Sequence, residues 1–373
     1  MKPHDTFSDF DRSAMQRALV LAARGLASTD PNPRVGCVIA RGERIVGEGW
    51  HERAGEAHAE VAALRAAGPQ AAGATVYVTL EPCNHHGRTA PCTLALTGAR
   101  VARVVYAIGD PNPQVNGQGA AALAAAGITV QAGLLESEAH ELNAGFFKRM
   151  QQGRPFVRVK LAMSLDGRTA LADGTSQWIT GEAARADVQA WRARSSAVLT
   201  GVGTVLSDDP RLSVRSPADA EPRQPLRVVL DTHLRTPAGA RLFAGGGDVL
   251  ILTALEALDE ARAAALSARG ARVETLPAQA DHLDLGAVFD RLGELDANEV
   301  LVEAGATLAG AILRQGLADE LLLYVAPRLL GPTARALVEL PALAALTDAP
   351  GFAFLDSQRI GEDLRLRLRP AAL

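Results

Sequence analysis

Short apolar strands alternate with helical segments along almost the whole chain, and this alternation limits the fold more than any other feature. Residues 13–27 carry apolar side chains at helical spacing. Residues 35–40 and 44–50 read as a hairpin around Arg41-Gly42-Glu43, and residues 58–67 as a helix. Then follow a strand at 74–80, a short helix at 92–97, a strand at 101–108, a helix at 119–126, a short strand at 128–131 and one helix over 136–151. The last stops at Gln152-Gly153-Arg154-Pro155. Such an order predicts an α/β sheet covered by helices on both faces. At 373 residues two domains are expected, 1–153 and 154–373, each long enough to bury its own core.

The second half restarts with a strand at 156–163 and the turn-rich Ser164-Leu165-Asp166-Gly167-Arg168. A helix at 181–193 and strands at 197–200, 226–230, 248–252, 272–274 and 299–302 follow, and strands at 321–326 and 364–368 are expected to close the sheet. Two glycine-bearing turns, Gly201-Val202-Gly203-Thr204 and Gly305-Ala306-Thr307, each lead from a strand toward a helix. Such junctions offer unpaired N–H groups to a phosphate, although glycine there is more often a matter of backbone geometry. Asp-Pro-Asn-Pro occurs at 30–33 and at 110–113 with unlike flanks, which is shared turn chemistry rather than duplication.

Chemistry concentrates in His58-Ala59-Glu60, Pro82-Cys83 and Pro91-Cys92. One imidazole and two thiolates make a soft tetrahedral set, and three protein ligands leave a fourth position for water, the mark of a catalytic zinc. Glu60 stands two residues past His58, placed to move a proton without ligating the metal. His-x-Glu followed by Pro-Cys-x-x-Cys is a signature of zinc-dependent base deaminases. Here eight residues, Asn84 to Pro91, separate the cysteines instead of two. Each cysteine follows a proline, so each is expected at the start of a helix, where a thiol ionises more easily. The competing reading is a structural metal site or two buried thiols, against which stands the polarity of Asn84-His85-His86-Gly87-Arg88-Thr89.

With 48% hydrophobic and 21% charged residues the composition is that of a soluble globular protein. A net charge of −4 without Lys/Arg runs gives no reason to expect nucleic acid as a partner. The first 25 residues are amphipathic rather than a signal sequence, and no stretch of about 18 apolar residues suggests a membrane span. Three cysteines, two of them metal ligands, fit a reducing cytoplasm. Of 38 basic residues only Lys2, Lys148 and Lys160 are lysines, so Lys160 inside an apolar strand stands out. Cys37 is expected to be a buried structural thiol.

Taken together, these motifs resemble the bifunctional riboflavin-biosynthesis deaminase–reductase family. The resemblance rests on His58-Ala59-Glu60-Val61, on Thr79 to Cys83 with the loop to Pro91-Cys92, on Lys160-Leu161-Ala162-Met163-Ser164-Leu165-Asp166-Gly167, on Ser176-Gln177-Trp178-Ile179-Thr180, on residues 201–212, and on Glu303-Ala304-Gly305. It implies a cytidine-deaminase-like three-layer α/β/α domain followed by a dihydrofolate-reductase-like α/β domain. It implies one Zn2+ per chain held by His58, Cys83 and Cys92, with Glu60 as proton carrier. Asn32 and His51 would contact the pyrimidine and Arg88 the phosphate. In the second domain it implies NADPH held by Ala162, Trp178, Thr204, Asp208 and the turn Gly305, Ala306, Thr307, Leu308, Ala309, Gly310 and Ala311. Ser176, Arg192, Leu212, Arg215 and Glu303 would face the substrate, Arg192 and Arg215 as phosphate clamps, and Lys160 would polarise the ribosyl carbonyl. Trp178 as a core aromatic, Asp208 and Asp209 as a helix cap, and Arg88 as a solvated charge are the plainer alternatives. The implied partners are small pyrimidine ribotides in a homo-oligomer, with neither nucleic acid nor membrane. A single-activity zinc deaminase with a non-catalytic second domain is the rival reading.

Overall fold

The computed structural model describes residues 7–84, 90–112, 115–215, 222–279 and 282–371. It divides into two compact units, Met1–Gly153 and Arg154–Leu373. The first unit runs α1 (Asp9–Ala22), β1 (Gly36–Arg41), β2 (Arg44–Trp50), α2 (Ala59–Ala67), β3 (Thr75–Leu80), α3 (Cys92–Gly98), β4 (Arg103–Ile108), α4 (Gln118–Ala125), β5 (Thr129–Ala132), α5 (Glu136–Leu142) and α6 (Ala144–Gln152). Among the described residues its five strands are ordered β2-β1-β3-β4-β5. Alternate residues of each strand face opposite layers. Val38, Ala40, Tyr77 and Val105 pack under Met15 and Leu21 of α1 and Phe146 and Phe147 of α6. Cys37, Ile39, Val76, Val78 and Val104 pack under α2, α3 and α4 through Ala59, Ala63, Leu96 and Leu123. This is the expected three-layer α/β/α arrangement. Cys37 is fully buried within it.

Close approach sets the height of α2 over the sheet. A Cβ on Gly49 would sit 2.5 Å from the Ala63 backbone nitrogen, and one on Gly47 would sit 2.4 Å from the Ala63 carbonyl oxygen. Only glycine at those two positions of β2 lets α2 lie low enough to bring its first turn to the sheet. One expectation fails here. The helix expected over 136–151 is two helices, because Asn143 is needed elsewhere: its amide accepts from the Arg34 N–H at 2.8 Å and donates to the Arg34 carbonyl at 2.9 Å.

The second unit runs β6 (Phe156–Ser164), β7 (Arg168–Ala170), α7 (Glu182–Arg194), β8 (Ala197–Gly201), α8 (Val202–Asp208), β9 (Leu226–Leu230), β10 (Val249–Ala254), α9 (Glu260–Ser267), β11 (Ala271–Leu276), β12 (Ala278–Gln279), β13 (His282–Leu283), α10 (Leu285–Glu294), β14 (Glu299–Glu303), α11 (Ala306–Arg314), β15 (Glu320–Ala326), β16 (Arg335–Ala336), β17 (Phe352–Ile360) and β18 (Asp363–Pro370). Among the described residues nine strands form one sheet in the order β11-β10-β9-β8-β14-β6-β15-β18-β17. The seven from β11 to β15 are parallel, and β18 and β17 continue antiparallel. The edge is therefore β17, which the sequence reading left out, and not β18.

One face of this sheet is apolar and lies under α10 and α11. The opposite face, under α7, is partly ionic. There Arg158 of β6 donates to Glu320 at 2.7 Å and to Glu299 at 2.9 Å, all three side chains being at most 3% exposed. Arg194 and Arg367 complete the two carboxylates, and both guanidinium groups lie near the Trp191 ring, as does that of Arg158. A buried network of this kind favours one register over others more than it raises stability.

Candidate active sites

In the first unit the end of β3, the start of α2 and the start of α3 meet. His58 is the N-cap of α2, with extended backbone, and Cys92 is the first residue of α3. His58 Nδ1 lies 3.2 Å from Cys92 Sγ and 3.5 Å from Cys83 Sγ, and the ligand atoms of all three fall within 4.8 Å of one another. Cys83 itself starts no helix. It follows β3 in extended chain, and the thiol of Cys83 instead accepts the Cys92 backbone N–H at 3.4 Å. A helix start thus serves Cys83, but it is the start of α3.

The donor set fits zinc. The hydrogen bond with Cys92, and next the His58 ring, hold the Cys83 thiol well below its ordinary range. The same bond and burial push Cys92 up. Two adjacent thiols share one proton, so both ionise only beside a cation, and one imidazole with two thiolates matches a soft divalent ion. Glu60, in the first turn of α2, is 4% exposed; burial, and then the charge of Cys83, push its carboxyl up.

Beside this cluster the His51 and His58 rings meet edge to face, 5.5 Å between centroids. His51 Nδ1 is 3.1 Å from the Ala57 carbonyl and His51 Nε2 is 3.1 Å from Asn32 Nδ2. A carbonyl only accepts and an amide NH2 only donates, so His51 is neutral with its proton on Nδ1. Burial lowers its pKa in the same sense. Asn32 and His51 thus form one polar unit at the rim of the cluster. Arg88 lies outside the described residues.

Sequence reasoning missed Glu81. Its carboxylate, 3% exposed, accepts backbone N–H groups from Asp110 at 3.3 Å, Gly117 at 3.0 Å and Ala120 at 3.1 Å. It bolts the loop after β4 to the strand end that carries Cys83. The sequence signal was a charged residue set between Leu80 and Pro82 at the end of an apolar strand.

In the second unit a cleft of about 1210 Å³ opens at the carboxyl ends of β8 and β14. Those strands are neighbours, yet β8 connects through α8 to β9 on one side while β14 connects through α11 to β15 on the other. Where connections diverge in this way a crevice is left, and α/β sheets bind ligands there. Thr200 Oγ1 donates to the Glu303 carbonyl at 2.7 Å and ties the two strand ends together. Register places Glu303 of β14 directly beside Lys160 of β6. Lys160 is half-buried, and burial pushes its ammonium down while Glu303 opposes the shift.

Most residues assigned by resemblance line this cleft: Lys160, Ala162, Ser176, Trp178, Arg192, Thr204, Asp208, Leu212, Arg215, Glu303 and Gly305 to Leu308. Ala309, Gly310 and Ala311 do not. They belong to the inner turns of α11, and a Cβ on Gly310 would lie 2.1 Å from the Glu339 carbonyl. Trp178 is 61% exposed under the Arg185 guanidinium, so it is no core aromatic. Asp208 ends α8 rather than starting a helix, so it caps nothing at an N-terminus. The size of the cleft, its cationic side chains and the helix start at Gly305 fit a phosphorylated dinucleotide.

The model of the cytidine and deoxycytidylate deaminase zinc-binding region matches residues 8–108, and the RibD C-terminal domain matches residues 155–366. The riboflavin biosynthesis protein RibD of Escherichia coli is 50% identical over an alignment of 368 residues that covers 96% of this chain and 99% of that protein. The chain belongs to the RibD family. Its RibD relative in Haemophilus influenzae is 46% identical, covering 98% of each chain. Among solved structures, Acinetobacter baumannii RibD superposes with a TM-score of 0.89 at 46% identity, covering 97% of this chain and 99% of that one. The Thermotoga maritima diaminohydroxyphosphoribosylaminopyrimidine deaminase/5-amino-6-(5-phosphoribosylamino)uracil reductase superposes at 0.84 with 32% identity and the same coverage. Like other RibD proteins the chain is a bifunctional deaminase and reductase that uses Zn2+ and NADPH. Both halves are matched, which leaves the single-activity reading unsupported. No helix among the described residues is long and apolar enough to cross a membrane.

Proposed function

We propose that this chain carries out two consecutive steps of riboflavin biosynthesis. Residues 1–153 deaminate 2,5-diamino-6-ribosylamino-4(3H)-pyrimidinone 5′-phosphate. Residues 154–373 then reduce the ribosyl side chain of 5-amino-6-(5-phosphoribosylamino)uracil to ribityl. The observation that carries the reading is the convergence of His58, Cys83 and Cys92 beside buried Glu60 in a chain that also holds the Lys160–Glu303 cleft.

For the first step His58, Cys83 and Cys92 would hold zinc, which when bound would supply a water acidified to near neutral pH. Glu60 is placed to hold a proton taken from water and pass it to the departing amino nitrogen, so that the ring carbon would gain the water oxygen and the amino group would leave as ammonia. A carboxyl whose pKa burial has raised suits both acceptance and donation. Asn32 and His51, locked to each other, present a fixed polar edge to the pyrimidine. Arg88 is assigned to the phosphate by resemblance.

In the second step NADPH, when bound in the cleft, would supply hydride to the ribosyl carbonyl carbon. Lys160 lies in the floor of the cleft, where its ammonium polarises the carbonyl oxygen and gives it a proton. Burial pushes that ammonium's pKa down, and the Glu303 charge opposes the shift. Arg215, exposed on the cleft rim, meets the substrate phosphate, and Trp178 and Thr204 face the dinucleotide. A cytoplasmic homo-oligomer acting on small pyrimidine ribotides completes the reading.

The test is a zinc determination together with two assays on the purified chain: ammonia release from the diaminopyrimidine phosphate, and NADPH oxidation with the deaminated product supplied. Glu60→Gln should abolish the first and leave the second intact. Joint loss of both would defeat the assignment of separate sites.

A further inference from the structure

Cys83 lies in extended chain past the end of β3, and two helix starts bear on it. The start of α3 grips it directly. The Cys92 N–H donates to Cys83 Sγ at 3.4 Å, the Thr93 N–H to the Cys83 carbonyl at 3.3 Å, and Thr93 Oγ1 to Asn84 Oδ1 at 2.7 Å. The start of α4 lies against the residue before it, close enough that a Cβ on Gly119 would fall 1.9 Å from the Pro82 carbonyl oxygen.

α4 carries no cap of its own. Its N-cap is Gly117, in left-handed backbone at φ 80°, with no side chain to accept the free N–H groups of the first turn. Glu81 takes that place from another element. Its Oε2 accepts from the Gly117 N–H at 3.0 Å and the Asp110 N–H at 3.3 Å, and its Oε1 from the Ala120 N–H at 3.1 Å. Ala120 is the third residue of α4, where an N-cap side chain would ordinarily bond, and the helix dipole favours a carboxylate there. The Glu81 backbone N–H is held in turn by the Ile108 carbonyl at 2.9 Å. Pro82, with its fixed φ, is the stiff link from this anchored residue to Cys83. Where α4 holds Glu81, Cys83 therefore follows.

We propose that Glu81 is a positioning residue for the metal centre: by capping α4 it fixes the Pro82-Cys83 segment and so sets where the Cys83 thiolate meets His58 and Cys92. This role rests on the zinc reading of the first unit.

The experiment compares Glu81→Gln with Leu123→Ala, which loosens α4 through its buried face and leaves the cap in place. Both are made in the full chain. Competition with a chromogenic chelator gives zinc affinity, and Co2+ in place of zinc gives an absorption spectrum that reports ligand geometry. Glutamine keeps the size of the side chain but turns an NH2 toward N–H donors, so half of the grip is lost. Glu81→Gln should weaken zinc binding by about tenfold or more, the usual effect of removing a partner behind the ligands, and should alter the Co2+ spectrum. With zinc saturating, kcat for ammonia release should fall by about tenfold while KM stays within about threefold. Leu123→Ala should keep its zinc affinity within about threefold of the parent and its Co2+ spectrum unchanged, and NADPH oxidation on supplied product should be unaffected in both variants. Urea unfolding of the zinc-free forms, followed by Trp50, shows whether the first unit folds. If Glu81→Gln does not fold, Glu81→Asp, charged but drawn back by one methylene, takes its place with the same losses expected. Unchanged zinc affinity and Co2+ spectrum in the Glu81 variant, or an equal loss in Leu123→Ala, would overturn the proposal. An unmutated chain that holds no zinc would instead remove the zinc reading on which it rests.

Discussion

Glu320 offers a measurement of what the buried charges under α7 contribute. The residue is fully buried and accepts from Arg158 Nε at 2.7 Å and from Arg367 Nε and Nη2 at 3.0 and 2.8 Å. Burial alone would raise its pKa, but Arg158 and Arg367 outweigh it and hold the carboxyl at about 2 against an ordinary 4.5. A carboxyl depressed in the folded state stabilises above its unfolded value, and that stability is lost as the pH falls toward the folded one. At about 1.4 kcal/mol per pH unit the contribution is roughly 3 kcal/mol at pH 7 and about 1 kcal/mol at pH 3. Glu320→Gln should therefore cost about 2 kcal/mol more at pH 7 than at pH 3. Trp191 lies against this network, and Trp50→Phe with Trp178→Phe leaves it as the single tryptophan reporter. Urea unfolding followed by Trp191 fluorescence at the two pH values gives the difference, in which carboxylates common to both proteins cancel. A variant that runs parallel to its parent through the acid range would refute the claim that Arg158 and Arg367 hold Glu320 ionised.

Three further outcomes are expected. Cys83→Ser should lose zinc on dialysis, measured by metal analysis, with ammonia release gone and NADPH oxidation on supplied intermediate retained. Gly119→Ala would set a Cβ 1.9 Å from the Pro82 carbonyl, so the chain bearing Cys83 must move by about 1 Å. Deamination should fall by about 100-fold while reduction stays unchanged, as two parallel assays would show. Asn143→Ala should leave the buried N–H and C=O of Arg34 unpaired, a cost of about 2–5 kcal/mol in urea unfolding followed by Trp50.

The metal cluster was legible because its ligands sit in short motifs at fixed places relative to strand and helix boundaries. His58, Cys83 and Cys92 needed only β3 beside β1 to meet. Most strands were legible from apolar runs. The edge strand β17 was not, because Phe354 and Leu355 are both exposed and the run lacks alternation. The break at Asn143 was hidden for another reason: the partner that requires it, Arg34, lies 109 residues away. The pairing of Arg192 with Glu303 spans 111 residues and follows from sheet register, which no local pattern encodes. Resemblance could carry residue names across, but it could not say which of them bind each other.

Arg192 and Arg194 stand two residues apart on α7, yet they hold Glu303 and Glu299 at opposite ends of β14. Two helical residues advance about 3 Å, whereas four strand residues span about 13 Å. The side chains therefore splay fore and aft along the strand, like two stays on a mast. A helix braced in both directions neither slides along its strand nor rolls over it. Any widening of the cleft to admit a dinucleotide then falls to the segment around Ser176, and α7, with the loop it holds at Ser213, remains the fixed wall against which that segment moves.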